Sequence, residues 1–255
     1  MIKIILKLFK KIYSLICFFY RNISTFLQDT FIKKSYESSY KKNDLYFTFT
    51  NKDKSFINQI NKFSDSIKYE YSKIYILDEI DLLELLKKIF NKDTKDLITL
   101  KTGFNYSIDF FSFYENFHIP NKFSKKSYFA NLLHVDKPYS KNMLKIIIPI
   151  SVKNVANGPL AVKIKKPLKL NKNMQYSDFK NFTSNDSNTL IYAFSPSRCF
   201  HMARVPHQRN SCLQIMIQLN PSRFWSINKE IHKRQMSQEP KFTEIKCLFD
   251  KYEII

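Results

Sequence analysis

From about Tyr128 onward the chain is a succession of short β-type runs divided by clusters of Pro, Asn and Ser: Tyr128 to His134, Leu144 to Val152, Leu160 to Ile164, Thr189 to Ser195 and Cys212 to Leu219. Several strands at such short intervals, with turn chemistry between them, predict an antiparallel sandwich or barrel and not a series of βαβ units. Within the run Lys145-Ile-Ile-Ile-Pro-Ile, Pro149 cannot donate to a ladder, which predicts a sheet edge or a bulge at that point.

Upstream the signals differ. Residues 30–75 are rich in Lys, Asn, Ser and Tyr, with the alternating stretch from Leu45 to Thr50 reading as an early strand. From Ile76 to Phe90 the apolar positions Ile76, Ile80, Leu83, Leu86 and Ile89, with acids early and Lys87-Lys88 late, predict an amphipathic helix aligned with its own dipole. Residues 223–255 read as a mostly helical tail with Trp225, Ile231, Ile245, Leu248 and Phe249 as its apolar positions. No repeat or low-complexity linker divides the chain. The expectation is a basic N-terminal helix over 1–28 and one domain over 29–255, mainly β with flanking helices and a β core over about 125–222. At 255 residues with 44% hydrophobic and 16% aromatic content, such a domain can bury a real core.

In the N-terminal segment Lys3, Lys7, Lys10 and Lys11 recur at helical spacing against Ile4, Ile5, Leu8, Phe9 and Ile12, and the chain then stays apolar to Tyr20. The stretch is short for a membrane span and lacks a small-residue cleavage site, so an interfacial helix in peripheral contact with a membrane ranks above a signal peptide or an anchor. A helix packed on its own domain is the other reading. The formal charge of +20 comes from 42 basic against 22 acidic residues. It is scattered and accompanies an abundance of Lys, Asn, Ile, Phe and Tyr with two glycines, a skew that an AT-rich genome produces. It therefore does not make nucleic acid a partner. Four cysteines, Cys17, Cys199, Cys212 and Cys247, form no CxxC pair, which fits a reduced, cytoplasmic compartment. Cys199 and Cys212 sit in apolar runs and read as small buried hydrophobes.

Among five histidines, His134 stands two residues before Asp136 and just after an apolar run. On an extended segment residues i and i+2 point the same way, so the imidazole and the carboxylate converge on one ion. His201, after the run Thr189 to Ser195 and a Pro196-Ser197 turn, is the natural third ligand. Two histidines and a carboxylate on one face leave three positions open, an arrangement that suits non-haem iron(II), with an oxo acid and dioxygen in the open positions. Arg209 follows at the mouth of the run Cys212 to Leu219; its planar fork suits a carboxylate, and Ser211 adds a hydroxyl from the same side of an extended chain. His207, two residues before Arg209, leaves too little chain to separate the metal from such a clamp. Arg204 and Arg198 are alternative clamps. Tyr128 and Asn131 are candidate pocket residues by position, with core packing the competing role for Tyr128, while His118 and His232 read as structural.

His134-Val-Asp136, Asn157-Gly158-Pro159-Leu160, Arg198-Cys-Phe-His201 and Arg209-Asn-Ser211 leading into Leu213-Gln-Ile-Met-Ile-Gln-Leu together resemble the 2-oxoglutarate and iron(II)-dependent dioxygenases, and within them the phytanoyl-CoA dioxygenase-like group. The resemblance implies a double-stranded β-helix (jelly-roll, cupin-like) core. It implies that His134, Asp136 and His201 bind Fe(II), while Arg209 and Ser211 hold the far carboxylate of 2-oxoglutarate. The implied reaction consumes dioxygen and hydroxylates a small-molecule or lipid-like substrate with release of succinate and CO2. Asp136 favours hydroxylation, since a halogenating relative needs a small residue there. Two departures are visible. The interval from His201 to Arg209 is short for the family, and Lys165-Lys166-Pro167 replaces the Gly-Ser-His turn that commonly follows the Asn157-Gly158-Pro159-Leu160 strand. A non-catalytic basic β-helix that binds a membrane surface or a polyanion is the alternative of a different class; a nucleic-acid demethylase, whose relatives carry a more elaborate arginine signature, ranks last.

Overall fold

The computed structural model describes residues 46–53, 55–60, 63, 65–123, 125–136, 140–163, 178–185, 189–235 and 251–255, together with Ile12, Ile16 and Ile23. In chain order the elements are β1 (Tyr46–Thr50), α1 (Ser55–Ile60), β2 (Asp65–Lys68), β3 (Ser72–Ile76), α2 (Glu79–Ile89), α3 (Lys92–Thr102) and β4 (Asn105–Phe117). There follow β5 (Leu144–Pro149), β6 (Leu160–Lys163), β7 (Phe179–Asn181), β8 (Leu190–Phe194), β9 (His201–Ala203), β10 (Ser211–Ser222), β11 (Ser226–Asn228) and β12 (Tyr252–Ile254).

Two sheets result, both built mainly from antiparallel pairs. The larger runs β1-β8-β5-β10-β4-β11-β12 with β3 and β2 added beside β4, and the smaller runs β7-β6-β9. The two long strands β4 and β10 pair along their whole length, with a register shift at Gln218/Leu219. Their alternation separates two cores. One face of the larger sheet, with Phe111, Phe113, Ile146, Ile148, Ile215 and Ile217, packs against Leu82, Leu85, Leu86 and Ile89 of α2 and Ile98 of α3. The other face, with Ile147, Tyr192, Phe194 and Met216, meets Leu160 and Val162 of the smaller sheet. This second space, between the sheets, is where the candidate site lies.

The helices follow their caps. Helix α2 starts at Glu79 because Ile76 belongs to β3 and the Asp78 carboxylate accepts the Asp81 N–H at 2.8 Å. Helix α3, not expected from the sequence, is capped by Asn91, which accepts the Thr94 N–H at 3.0 Å, and ends on Gly103 at φ 82°.

The expected strands Leu45 to Thr50, Leu160 to Ile164, Thr189 to Ser195 and Cys212 to Leu219 appear as β1, β6, β8 and a longer β10; Leu45 and Ile164 lie outside the described residues. Pro149 is the last residue of β5, paired with Gln214 of β10. There β5 has lost β8, which pairs only with Lys145 to Ile147, and it faces β10 alone, while the N–H groups of Ile150 and Ser151 converge on the Leu213 carbonyl. The strand is thus locally an edge at the proline.

One expectation fails and a second is departed from in the residues described. Tyr128 to His134 is a turn with a single bridge at His134, because Ala130 takes φ 59° and the Asn131 amide closes a local loop, accepting the Tyr128 N–H at 2.9 Å and donating to the Lys126 carbonyl at 3.0 Å. The tail over 223–255, where described, is strand and a short 3-10 turn, with Trp225 and Ile231 buried; Ile245, Leu248 and Phe249 lie outside the described residues. Ile12, Ile16 and Ile23 are helical and exposed, and the rest of the expected basic helix over 1–28 lies outside the described residues. Among the described residues no helix is long and apolar enough to cross a membrane.

Candidate metal centre

His134 and His201 exchange backbone hydrogen bonds as an isolated antiparallel bridge, at 3.0 and 2.9 Å, and the Asp136 N–H donates to the Pro196 carbonyl at 3.0 Å. Both ends of His134-Val-Asp136 are therefore pinned, one to β9 and one to the turn between β8 and β9. In this extended stretch His134 and Asp136 point the same way, toward His201.

Each imidazole is oriented by a main-chain carbonyl. His134 Nδ1 lies 2.7 Å from the Leu132 oxygen and His201 Nδ1 lies 3.2 Å from the Cys199 oxygen. A carbonyl only accepts, so each Nδ1 carries a proton and, in the neutral ring, each Nε2 keeps its lone pair, the tautomer that a metal ligand needs. His134 Nε2 is 3.4 Å and His201 Nε2 is 3.6 Å from Asp136 Oδ1. The ligand atoms of the three side chains lie within 4.8 Å of one another. Three ligands at ~2.1 Å from one ion stand roughly 3 Å apart, so a small inward closure suffices. Three acceptors facing one point repel one another unless a cation or a proton sits among them. At 3.6 Å the His201 contact is too long for a hydrogen bond, and the buried Nε2 has no hydrogen-bond partner, a condition that costs free energy unless an ion fills it.

In the metal-free cluster the carboxylate draws positive charge, in the form of protons, to the same point. Burial alone raises the Asp136 carboxyl, but the His134 and His201 imidazoles and the Lys145 ammonium outweigh it and hold the group well below the usual carboxylate range. Burial pushes His201 down, toward the neutral ring, whereas the Asp136 carboxylate raises His134. Lys145 Nζ is 2.5 Å from Asp136 Oδ2. The Phe194 ring meets the His201 ring edge-on at 5.1 Å between centroids, closing the apolar side.

The remaining sequence candidates are placed elsewhere. Arg209 is exposed, at φ 67° in the turn before β10. Ser211 falls, by alternation, on the β10 face of Leu213 and Ile215, which packs toward the helices, and is not brought to the three ligands. Arg204 donates from Nε to Asn181 Oδ1 at 2.7 Å, and Arg198 donates to Asn142 Oδ1 at 2.9 Å. His207 is exposed. His118 Nδ1 lies 2.9 Å from the Pro206 carbonyl, a partner that the sequence did not reveal, while His232 Nδ1 lies 3.7 Å from Glu79 Oε2 with no hydrogen bond to it. Tyr128 stacks edge-on against Tyr71, and Asn131 holds its own turn. Lys145 was missed. The signal for it was a lysine at an inward position of an apolar run, two residues before Ile147.

No family model matches the chain, and no curated protein matches it. Solved structures do. HygX from Streptomyces hygroscopicus, with nickel and 2-oxoglutarate bound, is 9% identical over 72% of this chain and 85% of that one, with a TM-score of 0.47. The non-heme alpha ketoglutarate dependent epimerase SnoN from nogalamycin biosynthesis is 10% identical over 71% of this chain and 80% of that one, also at 0.47. The non-heme alpha ketoglutarate dependent carbocyclase SnoK, likewise from nogalamycin biosynthesis, is 9% identical over 79% of this chain and 87% of that one, at 0.44.

Proposed function

We propose that the chain is an iron(II)- and 2-oxoglutarate-dependent dioxygenase that hydroxylates a small-molecule or lipid-like substrate. The observation that carries the reading is the convergence of two Nε2 lone pairs and one carboxylate oxygen on a common point between the sheets, with the Nδ1 of each ring already committed to the main chain. Two imidazoles and one carboxylate on one face leave three positions open, the pattern that suits iron(II) and not a closed structural site. His134, Asp136 and His201 would hold the ion. When bound, iron supplies the redox chemistry that couples dioxygen to decarboxylation of the oxo acid.

The strand order supports a double-stranded β-helix core. After β4 the chain passes from the larger sheet to the His134 bridge of the smaller, back to β5, to β6 and β7, to β8, to β9 and again to β10. Arg209 is assigned to the far carboxylate of 2-oxoglutarate. It makes no ion pair among the described residues and stands at the start of β10, while Ser211 contributes to the clamp only if that turn rearranges. Ile12, Ile16 and Ile23 are exposed apolar residues, which supports peripheral membrane contact.

The test is anaerobic titration of the metal-free protein with iron(II) and then 2-oxoglutarate, following the weak visible charge-transfer band of the chelate. Wild type is expected to develop the band, His134→Ala to lose it, and Arg209→Ala to need at least tenfold more 2-oxoglutarate, the loss of a charge-assisted pair of about 1.5–3 kcal/mol. Absence of the band in wild type at saturating concentrations overturns the oxygenase reading and leaves the basic binding module in its place.

A further inference from the structure

We infer that Lys145 is a positioning residue of the metal centre, holding Asp136 Oδ2 so that Oδ1 alone is presented to the ion. The inference rests on the metal-centre reading above. Lys145 lies on β5, bonded on one side to β8 and on the other to β10, opposite Phe194 and Gln218. Its side chain shares the inward face with Ile147 and is 16% exposed, an unusual place for a lysine unless a carboxylate meets it. The carboxylate it meets is Asp136, and the two oxygens are divided. Oδ2 goes to the ammonium at 2.5 Å, and Oδ1 faces His134 Nε2 at 3.4 Å and His201 Nε2 at 3.6 Å.

That division matters for the chemistry. A carboxylate with both oxygens free can take two positions on an ion; one whose second oxygen is held by an ammonium takes one. Iron(II) held by His134, Asp136 and His201 would have room for a chelating oxo acid and dioxygen if each of the three side chains supplied one atom. A second oxygen from Asp136 would displace one of them. Lys145 stands on a strand paired on both sides and its side chain is largely buried, so the ammonium is kept beside Asp136 Oδ2.

The competing explanation is that Lys145 only neutralises Asp136 while no cation is bound. The two differ in sign, because an ammonium beside the site opposes a divalent cation. Lys145→Met therefore strengthens metal binding if charge is all that counts and weakens it if Asp136 must be oriented. Lys145→Gln, neutral but still able to donate to Oδ2, separates the two again.

The experiment is titration of the full-length metal-free chain with cobalt(II), reading affinity together with the visible d–d absorption that reports coordination number. His134→Ala is the control, and melting temperatures of the metal-free variants verify folding. Lys145→Met is expected to bind about ten- to a hundredfold more weakly, with a changed d–d spectrum, and Lys145→Gln to recover most of the loss. If Met and Gln both bind as tightly as wild type or more tightly, with an unaltered spectrum, Lys145 is a counter-ion and the inference is overturned. If Lys145→Met does not fold, Lys145→Gln decides alone: a wild-type spectrum with affinity within a few fold supports positioning, and a tighter site refutes it. If wild-type protein takes up no cobalt, or His134→Ala takes it up equally, the metal-centre reading itself fails, an outcome distinct from the failure of Lys145.

Discussion

Asp136 and Lys145 form a pair whose members have different second duties, and a double-mutant cycle on the metal-free protein separates them. Asp136→Asn alone leaves a largely buried ammonium without its carboxylate and is expected to cost about 1–3 kcal/mol in urea unfolding, scaled down from a fully buried pair because Asp136 is 20% exposed. Adding Lys145→Met should return most of that stability while metal uptake stays lost. Simple additivity of the two changes would show that the pair does not couple. The convergence of His134, Asp136 and His201 was legible in the sequence because spacing of two on extended chain and a distal histidine after a turn are local signals. For Lys145 only the position was legible, a lysine inside an apolar run, since its partner is set by a register between β5, β8 and β10 that no local pattern encodes. Ser211 shows the reverse difficulty: one residue of register decides its face, and in β10 it shares the face of Leu213 and Ile215.

At the scale of elements, the turn at Gly158 links the smaller sheet to the chain entering β10. Gly158 takes φ 74°, and a Cβ there would lie 2.6 Å from the Arg204 carbonyl oxygen and 2.6 Å from the Pro206 nitrogen, both backbone atoms that cannot yield cheaply. Gly158→Ala is accordingly expected to lower stability by about 2 kcal/mol or more, from the left-handed backbone and the overlap together, measured as a lower urea midpoint. An unchanged midpoint would show that the 204–206 segment moves freely. Sequence patterns found four of the eight strands after residue 140, β5, β6, β8 and β10, where short runs are bounded by turn residues, but passed over the three-residue strands and β4. Its thirteen residues have buried positions on both faces, so the alternation that marks a half-exposed strand is missing, and Asp109 and Glu115 break the apolar run. The opposite error, a strand expected over Tyr128 to His134, arose because the Asn131 side chain competes for main-chain partners.

For the molecule as a whole, the two-core arrangement buries groups that must stay protonated, and this sets its alkaline limit. Cys199 and Cys212 are free thiols with no exposure, and burial pushes each up to about 12 from an ordinary value of 9.0. Burial also raises Tyr75 to about 12 and moves Tyr106 and Tyr114 in the same direction. For an acid whose folded value is raised, the folded state keeps the proton that the unfolded chain releases. The stabilisation is therefore complete below the unfolded value and is lost as pH climbs toward the folded one. Between about pH 9 and 12 each thiol should cost about 1.4 kcal/mol per pH unit, so urea midpoints measured across this range should fall steeply while those near neutrality stay flat. Replacing both thiols, Cys199→Ala with Cys212→Ala, lowers the plateau through lost packing but should shallow the alkaline slope by nearly 3 kcal/mol per pH unit, two thiols at that rate. A slope that survives the double replacement would assign the alkaline limit to the tyrosines, and would mean that the thiols between the sheets and beside β4 are reached by solvent in the folded state.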